Sequence, residues 1–66
     1  MEIWTIYKHP RDYPEHYVAR LWLWGDPTER VLTAETLEEI RTLIPRGLVR
    51  LNRMPDDDPA IVETWF

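Results

Sequence analysis

One loop of this sequence collects residue types that can bind a metal ion. Its four candidate ligands are His9, Asp12, Glu15 and His16. Imidazole and carboxylate groups suit zinc or iron. Their spacing matches no standard site, however, and Pro10 and Pro14 stiffen the loop around them. We therefore expect these side chains to order the loop or to face solvent, and we predict no metal and no other cofactor.

Other reactive residue types are scarce in the chain. It contains no serine and no cysteine, which are the commonest nucleophiles, and its two glycines, Gly25 and Gly47, are too few for a phosphate-binding loop. The run of Asp56 to Asp58 lacks the alternation and the distal glutamate of a calcium loop, so we interpret it as a solvated turn. We predict that the protein is not an enzyme.

Size and composition indicate a single folded domain of residues 1–66. Hydrophobic residues make up 44% of the chain and charged residues 30%, a balance typical of folded soluble proteins. A chain this short buries only roughly 60% of the surface that its unfolded form exposes, so its core must be thin. Because the sequence has no cysteine, no basic leader and no long apolar segment, we expect a cytoplasmic protein that does not associate with membranes.

Short strand-like segments surround one helical segment. Residues suited to strands occupy segments 3–8, 17–24, 30–33, 48–51 and 60–66, and a turn is expected at 25–28. The sequence TLEE at 36–39 has the form of a capping box, and apolar residues follow at helical spacing, which predicts a helix over 37–44. The order β-β-β-α-β-β predicts an α+β fold, a small two-layer domain with one helix on an antiparallel sheet of four to five strands.

Strand alternation predicts which side chains face water. In the second strand Leu21 and Leu23 are the natural core side, because burying Arg20 unpaired would cost several kcal/mol. The same argument turns the charged residues of the last two strands outward and places Val49 and Leu51 inside. The uncovered face of the sheet is then expected to carry Arg20, Trp22, Trp24, Arg50, Glu63 and Trp65.

Two questions stay open at this level. In the first strand, Trp4 and Ile6 face the core with Tyr7 outside, or the reverse holds. On the uncovered face, the loops fold back over the aromatic rings or the arginines stack on them as cation–π pairs, a second copy pairs through them, or a different partner binds them. Large exposed apolar patches usually mark contact sites, and tryptophan and arginine are frequent binding hot spots.

The net charge of −4 is unevenly distributed along the chain. Residues 40–54 hold four arginines and no acid, whereas acids cluster before and after them. These blocks either neutralise each other as ion pairs or leave an acidic side that attracts a basic partner. That side would comprise Asp26, Glu29, Glu35, Glu38, Glu39, Asp56, Asp57 and Asp58. Its carboxylates either imitate the phosphates of a nucleic acid, or they only stabilise the positive end of the helix and keep the protein soluble.

Four segments, IYKHPRDYPEHYVARLW, TLEEIR, IPRGLVRLNR and DDDPAIVETWF, resemble a group of small bacterial and prophage proteins with a similar layout across nearly the whole chain. The resemblance implies no activity and no catalytic residues, since none is assigned to the group. By analogy of size and charge, compact acidic proteins of this kind serve mobile elements as inhibitors of host defence, anti-CRISPR proteins included.

These observations favour a non-enzymatic protein that binds another macromolecule. Our preferred hypothesis is an inhibitor encoded by a phage or prophage. Its expected partner is a protein, with a basic nucleic-acid-binding protein as one candidate, and the inhibitor itself is a monomer or homodimer. Direct binding of nucleic acid is disfavoured by the net acidity, because neutralising phosphates supplies most of such affinity. The alternatives are a sheet platform on which single-stranded bases stack and a regulatory subunit of a housekeeping complex.

Overall fold

A computed structural model describes residues 2–66 as one antiparallel sheet covered by one helix. The elements are β1 (Glu2–Lys8), β2 (Tyr17–Leu23), β3 (Asp26–Ala34), α1 (Leu37–Leu43), β4 (Arg50–Asn52) and β5 (Ile61–Trp65). The strand order in the sheet is β3-β2-β1-β5-β4, and α1 packs on β2 and β3. The predicted α+β class and element order are confirmed. Within residues 2–66, no helix has the length and apolar character needed to cross a bilayer.

A tight turn joins β2 to β3. Its central residues Trp24 and Gly25 have φ angles of 54° and 84°, the two positive values that a type I′ hairpin turn requires. The turn is therefore shorter than predicted, and β3 begins at Asp26, before the predicted strand start at residue 30. Pro27 is tolerated inside β3 because this strand lies at the edge of the sheet.

The helix begins where the sequence predicts. The Thr36 hydroxyl oxygen accepts a hydrogen bond from the Glu39 amide at 3.1 Å, which satisfies one of the amides that have no partner within the helix. The helix ends at Leu43, because Ile44 is extended, with φ −76° and ψ 153°, as expected for a residue that precedes proline.

The core lies between α1 and one face of the sheet, here called the helix face; the opposite side is the open face. The members of the core are Trp4, Ile6, Ala19, Leu21, Ala34, Ile40 and Ile44. Trp4 is 2% exposed and Ile6 is 0% exposed. These two side chains of β1 therefore face the core, and Tyr7 faces the open side. Leu21 is buried as predicted, whereas Leu23, at the end of β2, is 37% exposed.

The last strand faces the opposite way from the prediction. In the register of β1 and β5, Trp4 lies opposite Trp65 and Ile6 lies opposite Glu63. Directly opposed residues share a face of the sheet, so Trp65 and Glu63 are on the helix face. The prediction was wrong because it assumed that a buried Glu63 carboxylate would be unpaired, and the helix supplies it with a partner.

The pairing of β4 with β5 determines which residues of β4 lie on the helix face. Arg50 lies opposite Trp65, and Leu51 lies opposite Thr64. Arg50 is therefore on the helix face, and Leu51 is on the open face, where it is 43% exposed. Val49, also predicted inside, is 62% exposed. The predicted burial of these two apolar residues is wrong, because the short β4 lies at the edge of the sheet, away from the two strands on which α1 packs.

Candidate binding surface

A row of apolar side chains crosses one end of the open face. Ile3 pairs with Trp22, and Trp22 pairs with Pro27. Phe66 continues this row by alternation from β5, and its backbone exchanges two hydrogen bonds with that of Val49, at 2.7 and 3.1 Å. We call these five residues the apolar row. Phe66 and Val49 are 41% and 62% exposed, whereas Ile3 and Trp22 in the middle of the sheet are only partly exposed.

Two further apolar side chains extend this surface. Leu51 follows Val49 by two residues on the same face of β4. Trp24 lies in the hairpin turn at the same end of the sheet, with 83% of its surface exposed. Because water must cover these groups in the free protein, contact with a partner would remove a substantial apolar area from solvent.

The other end of the open face is covered by the β1–β2 loop. Val18 points to this face and is nevertheless 2% exposed. Pro10 and Tyr13 of the loop, with Tyr7 and Val18 below them, line a cleft of about 210 Å³. The loop therefore folds back over Val18 and Tyr7, and not over the tryptophan rings as one of the alternatives for this face proposed. The apolar row lies outside the cleft.

Polar groups beneath the loop are only partly satisfied. The Arg20 guanidinium donates to the Thr28 carbonyl oxygen at 3.0 Å. Burial raises the pKa of the Tyr7 phenol above 10.0, with Arg20 opposing this rise and Asp58 adding to it. The Trp22 indole nitrogen is buried and has no hydrogen-bond partner among residues 2–66, although it is near enough to Tyr7 to lower the pKa of that phenol.

The helix face holds the strongest polar contact among residues 2–66. Arg41 donates from Nε to Glu63 Oε2 at 2.9 Å and from Nη2 to Oε1 at 2.7 Å. The Trp65 indole N–H donates to the same Oε2 at 2.6 Å. Burial opposes ionisation of Glu63, but the hydrogen bonds from Arg41 and Trp65 and the charges of Arg41 and Arg50 outweigh it and hold its pKa below 4.5.

The six residues predicted for one aromatic face are therefore divided. Arg20 and Trp22 are on the open face and Trp24 is in the turn. The remaining three, Arg50, Glu63 and Trp65, are on the helix face. The residues that sequence reasoning missed, above all Phe66, Val49 and Leu51, became visible only when the phase of β4 and β5 was known. The one usable signal was the arginine at helix position 41, a candidate partner for Glu63.

The predicted acidic side is not one surface. Asp26 and Glu29 lie in the first half of β3, and Glu35 follows the opposite end of this nine-residue strand. Glu38 and Glu39 lie in the first turn of α1, next to Glu35. The third group, Asp56 to Asp58, lies between β4 and β5.

Two of these aspartates order their own turn. Asp57 Oδ2 accepts from the Met54 amide at 2.9 Å, and Asp58 Oδ1 accepts from the Ala60 amide at 2.8 Å, as is usual for aspartate in turns. Within residues 2–66 the one ion pair is Arg41–Glu63. It joins the basic block of residues 40–54 to the acidic C-terminal segment, and the other charges of these blocks form no ion pair among residues 2–66.

The histidines of the β1–β2 loop take structural positions. The His9 ring packs edge-on against Tyr17 with ring centroids 5.4 Å apart, and the His9 amide donates to the His16 carbonyl oxygen at 3.0 Å, which closes the loop. Among residues 2–66, no three histidine, cysteine, aspartate or glutamate side chains come together as a metal site would require.

Comparison with known proteins found no matching family model, no matching curated protein and no matching solved structure. The function must therefore be inferred from the surfaces themselves.

Proposed function

We propose that this chain is a non-enzymatic protein that binds another protein through the apolar row and its extension at Trp24 and Leu51. The observation that carries the proposal is the exposure of Trp24, Val49, Leu51 and Phe66 beside a sheet face that α1 does not cover. A lone exposed apolar residue is ordinary, but a contiguous set across neighbouring strands is not.

The conformation of Trp24 supports a functional role for this surface. Its positive φ of 54° is unfavourable for a bulky residue by about 1–2 kcal/mol, and its ring, 83% exposed, gains little from burial in return. Asparagine or glycine would suit the turn better. A strained, exposed tryptophan is explained if its ring is a binding anchor, since tryptophan is enriched among residues that dominate binding energy.

In biological terms we propose an inhibitor encoded by a phage or prophage that acts on a host defence protein, as anti-CRISPR proteins do. The net charge of −4 and the unpaired acids support a basic partner, because complementary charge accelerates encounter. The three separated acidic groups would then steer the partner, and the apolar row would supply the contact area. A free nucleic-acid strand is a weaker candidate for the open face, since its Arg20 is already bound to Thr28.

Affinity capture from bacterial extract, with the immobilised chain as bait, tests the proposal with a matched pair of variants. Leu51→Ala changes the open face, and Leu43→Ala changes an exposed leucine of similar accessibility, 48% against 43%, on α1. We expect a specific protein to be retained by the wild type and Leu43→Ala, and lost with Leu51→Ala combined with Trp24→Ala. Binding constants measured with the purified partner should fall at least about tenfold for the open-face variant.

Equal retention of the partner by Leu43→Ala and by the Leu51→Ala, Trp24→Ala double variant would count against the open face as the contact site. Light scattering separates the remaining alternative: a wild-type dimer that Leu51→Ala and Trp24→Ala convert to a monomer would show that a second copy of this chain is the partner. Circular dichroism of each variant verifies that the fold is intact.

A further inference from the structure

A second cleft lies on the helix face, between the end of α1 and β5. Its volume is about 280 Å³, and its walls include Arg41, Arg46, Leu48 and Trp65. This volume is close to the lower end of the range for small-ligand sites, about 300 Å³. The cleft thus has room for a small molecule, and it shares no residue with the apolar row.

Positive charge collects around this cleft in a chain that is acidic overall. Arg41 and Arg46 line it, and Arg50 lies beside Trp65 on the same face. The Glu63 carboxylate, 2% exposed beneath Arg41, neutralises one of the three guanidinium groups. Glu38, one turn earlier on α1, is exposed and does not line the cleft, although its negative charge helps to raise the pKa of Arg41. Arg46 in the wall of the cleft and Arg50 beside it therefore remain without a paired carboxylate among residues 2–66, whereas the charge of Arg41 is balanced by Glu63.

The buried Glu63 holds two walls of the cleft in place. Its Oε2 accepts from both Arg41 Nε and the Trp65 indole, and its Oε1 accepts from Arg41 Nη2. Arg41 Nη1 has no hydrogen-bond partner among residues 2–66. The guanidinium and the indole are thus fixed before anything binds, which lowers the entropic cost of binding.

We propose that this cleft binds a small organic phosphate, with the phosphate on Arg41 and Arg46 and a flat ring against Trp65. A phosphate monoester carries a charge of about −1.5 to −2 at neutral pH, which the unpaired Arg46 and the neighbouring Arg50 can balance, while Arg41, whose charge is balanced by Glu63, contributes hydrogen-bond donors. The planar guanidinium fork suits phosphate oxygens, and Trp65 with Leu48 provides the apolar wall that a ring requires. A nucleoside monophosphate has this chemistry.

Titrations followed by ¹⁵N–¹H NMR test the assignment with three probes: adenosine monophosphate, adenosine and inorganic phosphate. We expect saturable shifts of the Gly47 amide and the Trp65 indole with the monophosphate. Adenosine and inorganic phosphate should each bind at least about tenfold more weakly, because each lacks half of the contacts. Arg46→Gln should weaken binding of the monophosphate about tenfold. Arg46→Lys keeps the charge but loses the planar guanidinium, so its affinity should lie between those of the wild type and Arg46→Gln.

Arg46 suits this test because its side chain makes no hydrogen bond or ion pair among residues 2–66, so its loss should spare the fold. Arg30→Gln, at an exposed position on β3, is the charge-matched control and should bind like the wild type. The proposal is overturned if the monophosphate gives no saturable shifts, if Arg46→Gln binds it unchanged, or if inorganic phosphate binds equally well. A short single-stranded oligonucleotide that binds more tightly than the monophosphate would overturn the small-molecule assignment in favour of a strand.

Discussion

Arg41 of the helix and Glu63 of the last strand bind each other through two hydrogen bonds, at 2.9 and 2.7 Å. The contact links α1 to β5 across the sheet, beyond β2 and β3 on which the helix packs. Its two sides differ in environment, since the Glu63 side chain is 3% exposed and that of Arg41 is 34% exposed. The pair therefore fixes the helix laterally and sets the strand phase of the C-terminal half.

Removing the arginine should destabilise the domain severely. Arg41→Met leaves the Glu63 carboxylate buried with the Trp65 indole as its one remaining hydrogen-bond donor, and breaking a buried pair in this way costs about 3 kcal/mol. A domain of this size has a total stability of about 3–10 kcal/mol. Urea denaturation followed by circular dichroism measures the loss. Arg30→Met should change the free energy of unfolding by less than about 0.5 kcal/mol, and an equally small change at Arg41 would refute the structural role of the pair.

Acid should weaken the same contact. The pKa of Glu63 is lower in the folded chain than the 4.5 of an ordinary glutamate, so the unfolded chain takes up the proton first as the pH falls. The stabilisation is complete above about pH 4.5 and is lost as the pH falls through the folded-state pKa. Glu63→Gln should be less stable than the wild type at neutral pH and should lose less further stability between pH 5 and pH 3.

The control for this pH experiment is Glu29→Gln, an exposed carboxylate on β3 without a hydrogen bond among residues 2–66. Its unfolding free energy should follow the wild-type pH profile. If Glu63→Gln shows the same acid slope as the wild type, folding does not lower the pKa of Glu63 and the assignment of the pair is incorrect.

The fold could be predicted from local patterns, and the binding surface could not. The capping sequence at Thr36 and the β-rich segments depend on neighbours in the chain, so they were identified correctly. The phase of β5 depends on a contact between residues 41 and 63, which no local pattern reveals. Arg20 and Glu63 were both assigned outward by the same desolvation argument, which is valid only for a charge without a partner. It placed Arg20 correctly and Glu63 wrongly.

The tryptophans should respond differently to loss of the indole N–H. Trp65 donates to the charged, buried Glu63 at 2.6 Å, so Trp65→Phe should cost about 2 kcal/mol. Trp22 has a buried indole nitrogen without a partner, so Trp22→Phe loses no hydrogen bond and should change stability by less than about 1 kcal/mol. Thermal and urea unfolding of the two variants provide the comparison. A larger loss for Trp22→Phe would indicate that its indole N–H is hydrogen-bonded in the folded protein.

The hairpin turn offers a test in which stability and binding should move in opposite directions. Trp24→Asn replaces a bulky residue at φ 54° by one that suits this conformation, so the free energy of unfolding should rise by about 0.5–1 kcal/mol. The same change removes the most exposed ring of the proposed contact surface and should reduce partner capture. Gly25→Ala, at φ 84°, is the opposite control and should lower stability. If Trp24→Asn stabilised the protein without loss of capture, the strain would have no functional explanation, and Trp24 would be removed from the binding surface.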